Sequence, residues 1–202
     1  AMDSTRVDIC IFDGTDELDA VGPLEVLRAA VAAGADLDVR LVTRQPVRLV
    51  TAAYGLRIEP DGVFEPGAAG VVVVPGGGWA RKADRGAWGE VRRGDWSAPL
   101  HDAAEGGALM TSVCTGAMLL AAAGVIGDRP ATTHHAAKAD LAATGATVLD
   151  DRVVDAGSLV TAAGVTSGLD LALHLVERLS GPDTAERVAR GMEHARVPAH
   201  VV

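Results

Sequence analysis

Four consecutive valines, Val71-Val72-Val73-Val74, run straight into Pro75-Gly76-Gly77-Gly78. Side chains branched at Cβ favour extended backbone, and a short apolar run without polar alternation reads as a strand buried on both faces. Sheets covered on both faces are mostly parallel, with helices alternating between the strands. This one segment points to a layered α/β fold.

The rest of the chain repeats that rhythm. Val7 to Phe12 and Asp38 to Val42 read as strands. Between them Gly22-Pro23 opens a helix in which Leu24, Leu27, Ala30 and Val31 recur at helical spacing, and Gly34 closes it. Val47 to Ile58, broken at Tyr54-Gly55, reads as one or two short edge strands. A poorly patterned stretch carrying Trp79, Trp88 and Trp96, read as packing or interface residues, leads to a helix near Leu100 to Glu105. Ala108 to Val113 is a strand followed at once by a helix from Gly116 to about Ala123, and a further helix ends over Asp140 to Thr144. Val148 to Val154 and Ser158 to Ala162 form a hairpin turning at Asp155-Ala156-Gly157, and helices over Ser167 to Leu179 and Thr184 to Met192 close the chain. The alternation predicts one domain over residues 1–202: a mostly parallel sheet with helices on both faces. Ligands in such sheets bind beyond the carboxyl ends of the strands, here just after Phe12, Val74 and Val113.

Composition narrows the function. Aromatics make up only 3% of the 202 residues, so the core must be built from Ala, Val and Leu. A net charge of −9 argues against a nucleic-acid surface, which needs concentrated Lys and Arg. No apolar stretch reaches membrane-spanning length, and the N-terminus lacks a basic-then-apolar signal. Ala1 ahead of Met2 reads as an added residue. Two cysteines, Cys10 and Cys114, imply no disulfide framework, and a cytoplasmic location is the simple inference.

Three strand ends carry chemistry. Thr111-Ser112-Val113-Cys114-Thr115-Gly116 has the form of a nucleophile elbow, with small residues two before and two after Cys114 so that backbones can approach. The helix start behind it is expected to lower the thiol pKa. Cys10, inside an apolar strand, reads as structural. At Pro75-Gly76-Gly77-Gly78 the glycines permit close backbone approach, and the amides of Gly77 and Thr115 are candidates for an oxyanion hole. No Lys-Ser/Thr pair follows them, which argues against a nucleotide loop. Asp19, in Glu17-Leu18-Asp19-Ala20-Val21-Gly22-Pro23, lies among apolar neighbours in the loop after the first strand. Burial there raises a carboxyl toward neutrality and suits it to proton transfer; equally, Asp16, Glu17 and Asp19 can simply favour a helix start. His134, beside His135, can pair with a thiol or be structural, and two neighbouring histidines do not make a metal site. Asp170, in the first turn of a helix, reads as structural.

Taken in order, Leu18-Asp19-Ala20-Val21-Gly22-Pro23, the valine run into Pro75-Gly76-Gly77, the Cys114 segment, Ala131-Thr132-Thr133-His134 and Gly164-Val165-Thr166-Ser167-Gly168-Leu169-Asp170 resemble the ThiJ/PfpI superfamily. The pattern is nearest to its isocyanide (isonitrile) hydratase branch. The resemblance implies a class I glutamine amidotransferase-like, flavodoxin-type fold over nearly the whole chain. It matches Cys114 to the nucleophile and Asp19 to the acid that contacts it, an acid that is Asp in the hydratases and Glu in the deglycase- and protease-like branches. Thr115 stands where the PfpI-type proteases place a catalytic His, which argues against peptidase activity. His134 matches a histidine of the glyoxalase-like branch that the hydratases share. The implied protein is a homodimer without metal or organic cofactor, acting on a small-molecule substrate. Rival expectations are a glyoxalase or deglycase, a redox sensor built on Cys114, and the ligand-sensing half of an AraC-type regulator. That last reading requires a C-terminal helix-turn-helix, and no basic helical pair appears before Val202.

Overall fold

The computed structural model describes residues 4–202, and Ala1 lies outside them. In chain order the strands are β1 (Thr5–Cys10), β2 (Leu37–Thr43), β3 (Val50–Thr51), β4 (Arg57–Ile58), β5 (Gly62–Val63) and β6 (Val71–Val74). They continue with β7 (Leu109–Ser112), β8 (Pro130–Ala131), β9 (Thr147–Val148), β10 (Val153–Asp155), β11 (Leu159–Ala162) and β12 (His200–Val201). The helices are α1 (Glu17–Ala32), α2 (Ala87–Arg93), α3 (Ser97–Glu105), α4 (Gly116–Ala122), α5 (Lys138–Ala143), α6 (Ser167–Ser180) and α7 (Pro182–Gly191). A sheet ordered β12-β10-β11-β7-β6-β1-β2-β5 runs through the protein, parallel at every neighbouring pair except the β10–β11 hairpin. The expected flavodoxin-like α/β sandwich is therefore present.

Alternation along the central strands builds two cores. Val7, Ile9, Val71 and Val73 face one side, among buried residues of α1, α6 and α7. Cys10, Val72 and Val74 face the other, with Leu100 and Leu120. All four valines of β6 are buried, which is why the run carries no polar residue. Trp96, only 2% exposed, fills the second core beside Phe64. Among the described residues no helix is long and apolar enough to cross a membrane.

The structure departs from sequence expectation in four places. Helix α1 starts at Glu17, capped by the Asp16 side chain, and not at Gly22-Pro23. Pro23 sits inside the helix, and Gly22 and Pro23 mark a close approach to α6: a Cβ on Gly22 would stand 3.3 Å from Leu169, and one on Gly168 would stand 3.3 Å from Pro23. The Val47–Ile58 stretch folds as its own β3–β4 ladder, leaving β5 as the sheet edge. The Val148–Val154 strand splits into β9, which pairs with β8, and β10, which pairs with β11, and Arg152 between them turns to the buried Asp170, its Nε donating to Oδ2 at 2.6 Å. The unpatterned tryptophan stretch holds α2, and α3 starts earlier than expected.

Candidate active site

Strand β7 ends at Ser112, and Cys114 takes φ +57°, a left-handed conformation that costs a residue with a Cβ about 1–2 kcal/mol. Neighbouring backbone fixes the turn. The Cys114 amide donates to the Ala163 carbonyl (2.9 Å), and the Cys114 carbonyl accepts from Thr133 Oγ1 (2.7 Å). Close approach is required at Gly116, where a Cβ would lie 1.9 Å from the Val74 carbonyl oxygen. The expected elbow is therefore formed at the carboxyl ends of β6 and β7.

Asp19 reaches this turn from the first turn of α1 and not from a loop. It is fully buried, and its Oδ2 accepts from the Gly76 amide at 3.0 Å. Oδ1 is buried without a bond of full hydrogen-bond geometry; the Cys114 thiol is the neighbouring donor, and its interaction with the carboxylate opposes the effect of burial. The Gly77 amide donates to Thr115 Oγ1 (3.0 Å). The expected pairing of free Gly77 and Thr115 amides is thus replaced. The Thr115 hydroxyl, holding the Gly77 bond as acceptor, keeps its own proton to donate, while the Thr115 and Val165 amides approach the Cys114 sulfur.

Burial dominates the ionisation of this pair. It pushes the Asp19 carboxyl up to about 7, reinforced by the Asp16 charge. It pushes the Cys114 thiol up to about 12, reinforced by Asp19, against the lowering effect of the Val165 and Thr115 amides. The sequence expectation of a lowered thiol pKa is corrected. Helix α4 is only two turns long, and the sulfur is withdrawn from water beside a carboxyl group. At neutral pH the resting pair is a thiol beside a carboxyl group able to hold or release its proton. Cys10, fully buried in β1, is pushed well above the ordinary thiol range by burial and lies away from this turn.

Cys114, Thr115, Gly77, His134, Asp16, Tyr54, Trp79 and Val165 line one pocket of about 300 Å³. His134 caps a short 3-10 turn, its Nδ1 accepting from the Ala136 amide, so Nε2 carries the proton of the neutral ring. Burial, then the neighbouring His135, lowers its pKa. His134 makes no hydrogen bond to Cys114 among the described residues. Sequence reasoning missed Thr133 and Val165. Both stand in motifs it had marked, Thr132-Thr133-His134 and Gly164-Val165, and Val165 shows φ +23°, strain in the loop that presents its amide. Asp170 is structural as read: buried, it accepts from Arg152, His194 and the Val197 amide.

A family model described as DJ-1/PfpI family matches residues 5–178. The chain belongs to that family. Among curated relatives, this DJ-1/PfpI chain is 35% identical over 195 residues to isonitrile hydratase of Pseudomonas putida, covering 96% of this chain and 80% of the relative. It is 30% identical over 138 residues to the glutathione-independent glyoxalase DJR-1.2 of Caenorhabditis elegans, covering 66% and 69%. Among solved structures, a ThiJ/PfpI family protein from Pseudomonas syringae superposes with a TM-score of 0.82 at 27% identity, covering 96% of this chain and 77% of that one.

Proposed function

We propose that this chain is a cysteine-dependent hydratase that converts isocyanides to N-substituted formamides. The observation that carries the reading is the buried pairing of Asp19 with Cys114, a thiol set beside a carboxyl poised near neutrality. The 35% identity to an isonitrile hydratase over nearly the whole chain supports it.

The chemistry follows from which group holds the proton. Asp19 as carboxylate takes the Cys114 proton while the sulfur attacks the terminal carbon of R–N≡C, forming the S–C bond. The new carboxylic acid then delivers that proton to the same carbon, giving the thioimidate R–N=CH–S–Cys114. Water, deprotonated by Asp19, adds to this carbon. The tetrahedral adduct collapses with cleavage of the S–C bond and protonation at nitrogen, releasing R–NH–CHO and the thiol. Overall one water is consumed, and no redox step or cofactor is needed. The Thr115 hydroxyl is placed to hold the oxygen that bears charge in the adduct, and the Thr115 and Val165 amides to hold the departing sulfur anion. His134, with its proton on Nε2, faces the same pocket as a donor to the substrate.

The glyoxalase relative supports a second reading on the same cysteine, a small-aldehyde lyase. Simple isocyanides and methylglyoxal are assayed on one preparation. Formamide production that vanishes in Cys114→Ala is expected; methylglyoxal consumption without formamide sinks the hydratase reading. The proposed enzyme works in the cytoplasm as a homodimer. Val47, Leu49, Tyr54 and Leu56, before and between β3 and β4, are exposed apolar side chains available for pairing, and sedimentation of the purified chain checks it.

A further inference from the structure

Two concavities meet at Trp79. One is the pocket above Cys114; the other, of about 420 Å³, lies against it and shares Trp79, Ala80 and Ala136. Trp88 and Ala143 extend the second outward. Trp79 is a fixed wall between them: it packs against the core under α3 and α4, and its indole N–H donates to Asp140 of α5 at 2.7 Å.

We propose that this aromatic wall is the subsite for the substrate's substituent and that it selects isocyanides with a flat or bulky, uncharged R group. The inference rests on the hydratase reading and deepens it. The Cys114 sulfur lies deep, its residue 5% exposed, and R–N≡C is linear, so an isocyanide whose carbon meets the sulfur directs R outward along its own axis. Trp79, Ala80 and Ala136 line that pocket together with Cys114 and are shared with the adjoining concavity, which Trp88 extends. The carboxylates nearby are already engaged, Asp16 in capping α1 and Asp140 with the indole, while Arg81 and Lys82 are exposed to solvent. Beside Arg81 and Lys82, which line the two concavities and disfavour a cationic substituent, the surface open to R is an indole face and small apolar side chains, which favour a hydrocarbon or aromatic group.

The test compares kcat/KM for benzyl isocyanide and methyl isocyanide. Trp79→Ala and Asp140→Ala are each expected to lower the benzyl-to-methyl ratio at least about tenfold, carried by KM, while Trp79→Phe keeps most of it. Asp140 is exposed, so its variant keeps the fold if the larger one does not. A ratio unmoved in both alanine variants, or a fall in kcat shared equally by the two substrates, overturns the subsite. A second measurement needs no turnover: the rate at which Cys114 is alkylated by N-benzylmaleimide relative to N-methylmaleimide. A Trp79-dependent ratio in a protein that hydrates no isocyanide keeps the subsite and removes the hydratase reading. A ratio indifferent to Trp79 removes the subsite.

Discussion

Asp19 Oδ2 accepts the Gly76 amide at 3.0 Å, so the acid of α1 is held by the turn that follows β6. Through Gly77 and Thr115 Oγ1 the same turn is fastened to the elbow. Acid, glycine turn and cysteine thus form one unit, and damage to any of them is expected to register in both stability and chemistry.

Asp19→Asn tests the acid against its own burial. An aspartate held at about 7 in the folded protein, against about 3.9 unfolded, keeps its proton where the unfolded chain has lost it. Its contribution therefore falls as pH rises from about 4 to 7 and stays low above, a loss of up to about 4 kcal/mol. The variant is expected to gain melting temperature relative to wild type at pH 8 and to lose that advantage at pH 4. An equal difference at both pH values contradicts the raised carboxyl.

The same group is expected to set the pH profile of the proposed reaction. In the proposed hydratase Asp19 must be ionised to take the thiol proton, so kcat/KM is expected to rise through about pH 7 and then level, with no fall below pH 10 because burial pushes the thiol up to about 12. An acid limb displaced to pH 4 would mean that another base acts. Asp19→Asn is expected to lower the rate about 10²- to 10⁴-fold.

Thr115→Val removes the partner of the buried Gly77 amide while keeping the shape of the side chain. A stability loss of about 1–3 kcal/mol is expected from urea melts. Formamide production should fall about 10²-fold or more as the hydroxyl donor is lost. Loss of stability without loss of rate would confine Thr115 to a structural role.

Gly116→Ala places a methyl group 1.9 Å from the Val74 carbonyl oxygen, backbone against which nothing flexible can yield. The elbow must shift. The expected outcome is either an insoluble chain or a folded one without reactive Cys114, read by alkylation and mass spectrometry. Wild-type alkylation and stability in this variant would contradict the tight turn.

Asp170→Ala leaves Arg152 without its carboxylate and frees His194 and the Val197 amide, which anchor the C-terminal segment. A loss of about 1.5–3 kcal/mol is expected in chemical denaturation, because hydrogen bonds to a buried carboxylate are lost while Arg152, about a third exposed, is left to solvent and Thr166. A change near zero would show Asp170 to be dispensable.

Much of this architecture was legible because it is written locally. The Val71–Val74 run declares a buried strand, and small residues on either side of Cys114 declare a turn that admits close backbone, so fold class and the tight turn at Cys114 need no knowledge of the rest of the chain. Gly22-Pro23 misled as a helix start because its real role is contact with α6, far along the sequence. Tertiary structure alone decided that Asp19 lies on a helix, that the Gly77 amide is spent on Thr115, and that Thr133 and Val165 attend the cysteine. It also reversed the expected pKa of the thiol. Residue types and spacing specify strands, helices and turns over a few positions, whereas the partner of a hydrogen bond and the depth of a charge are set by segments that meet only once the sheet is assembled.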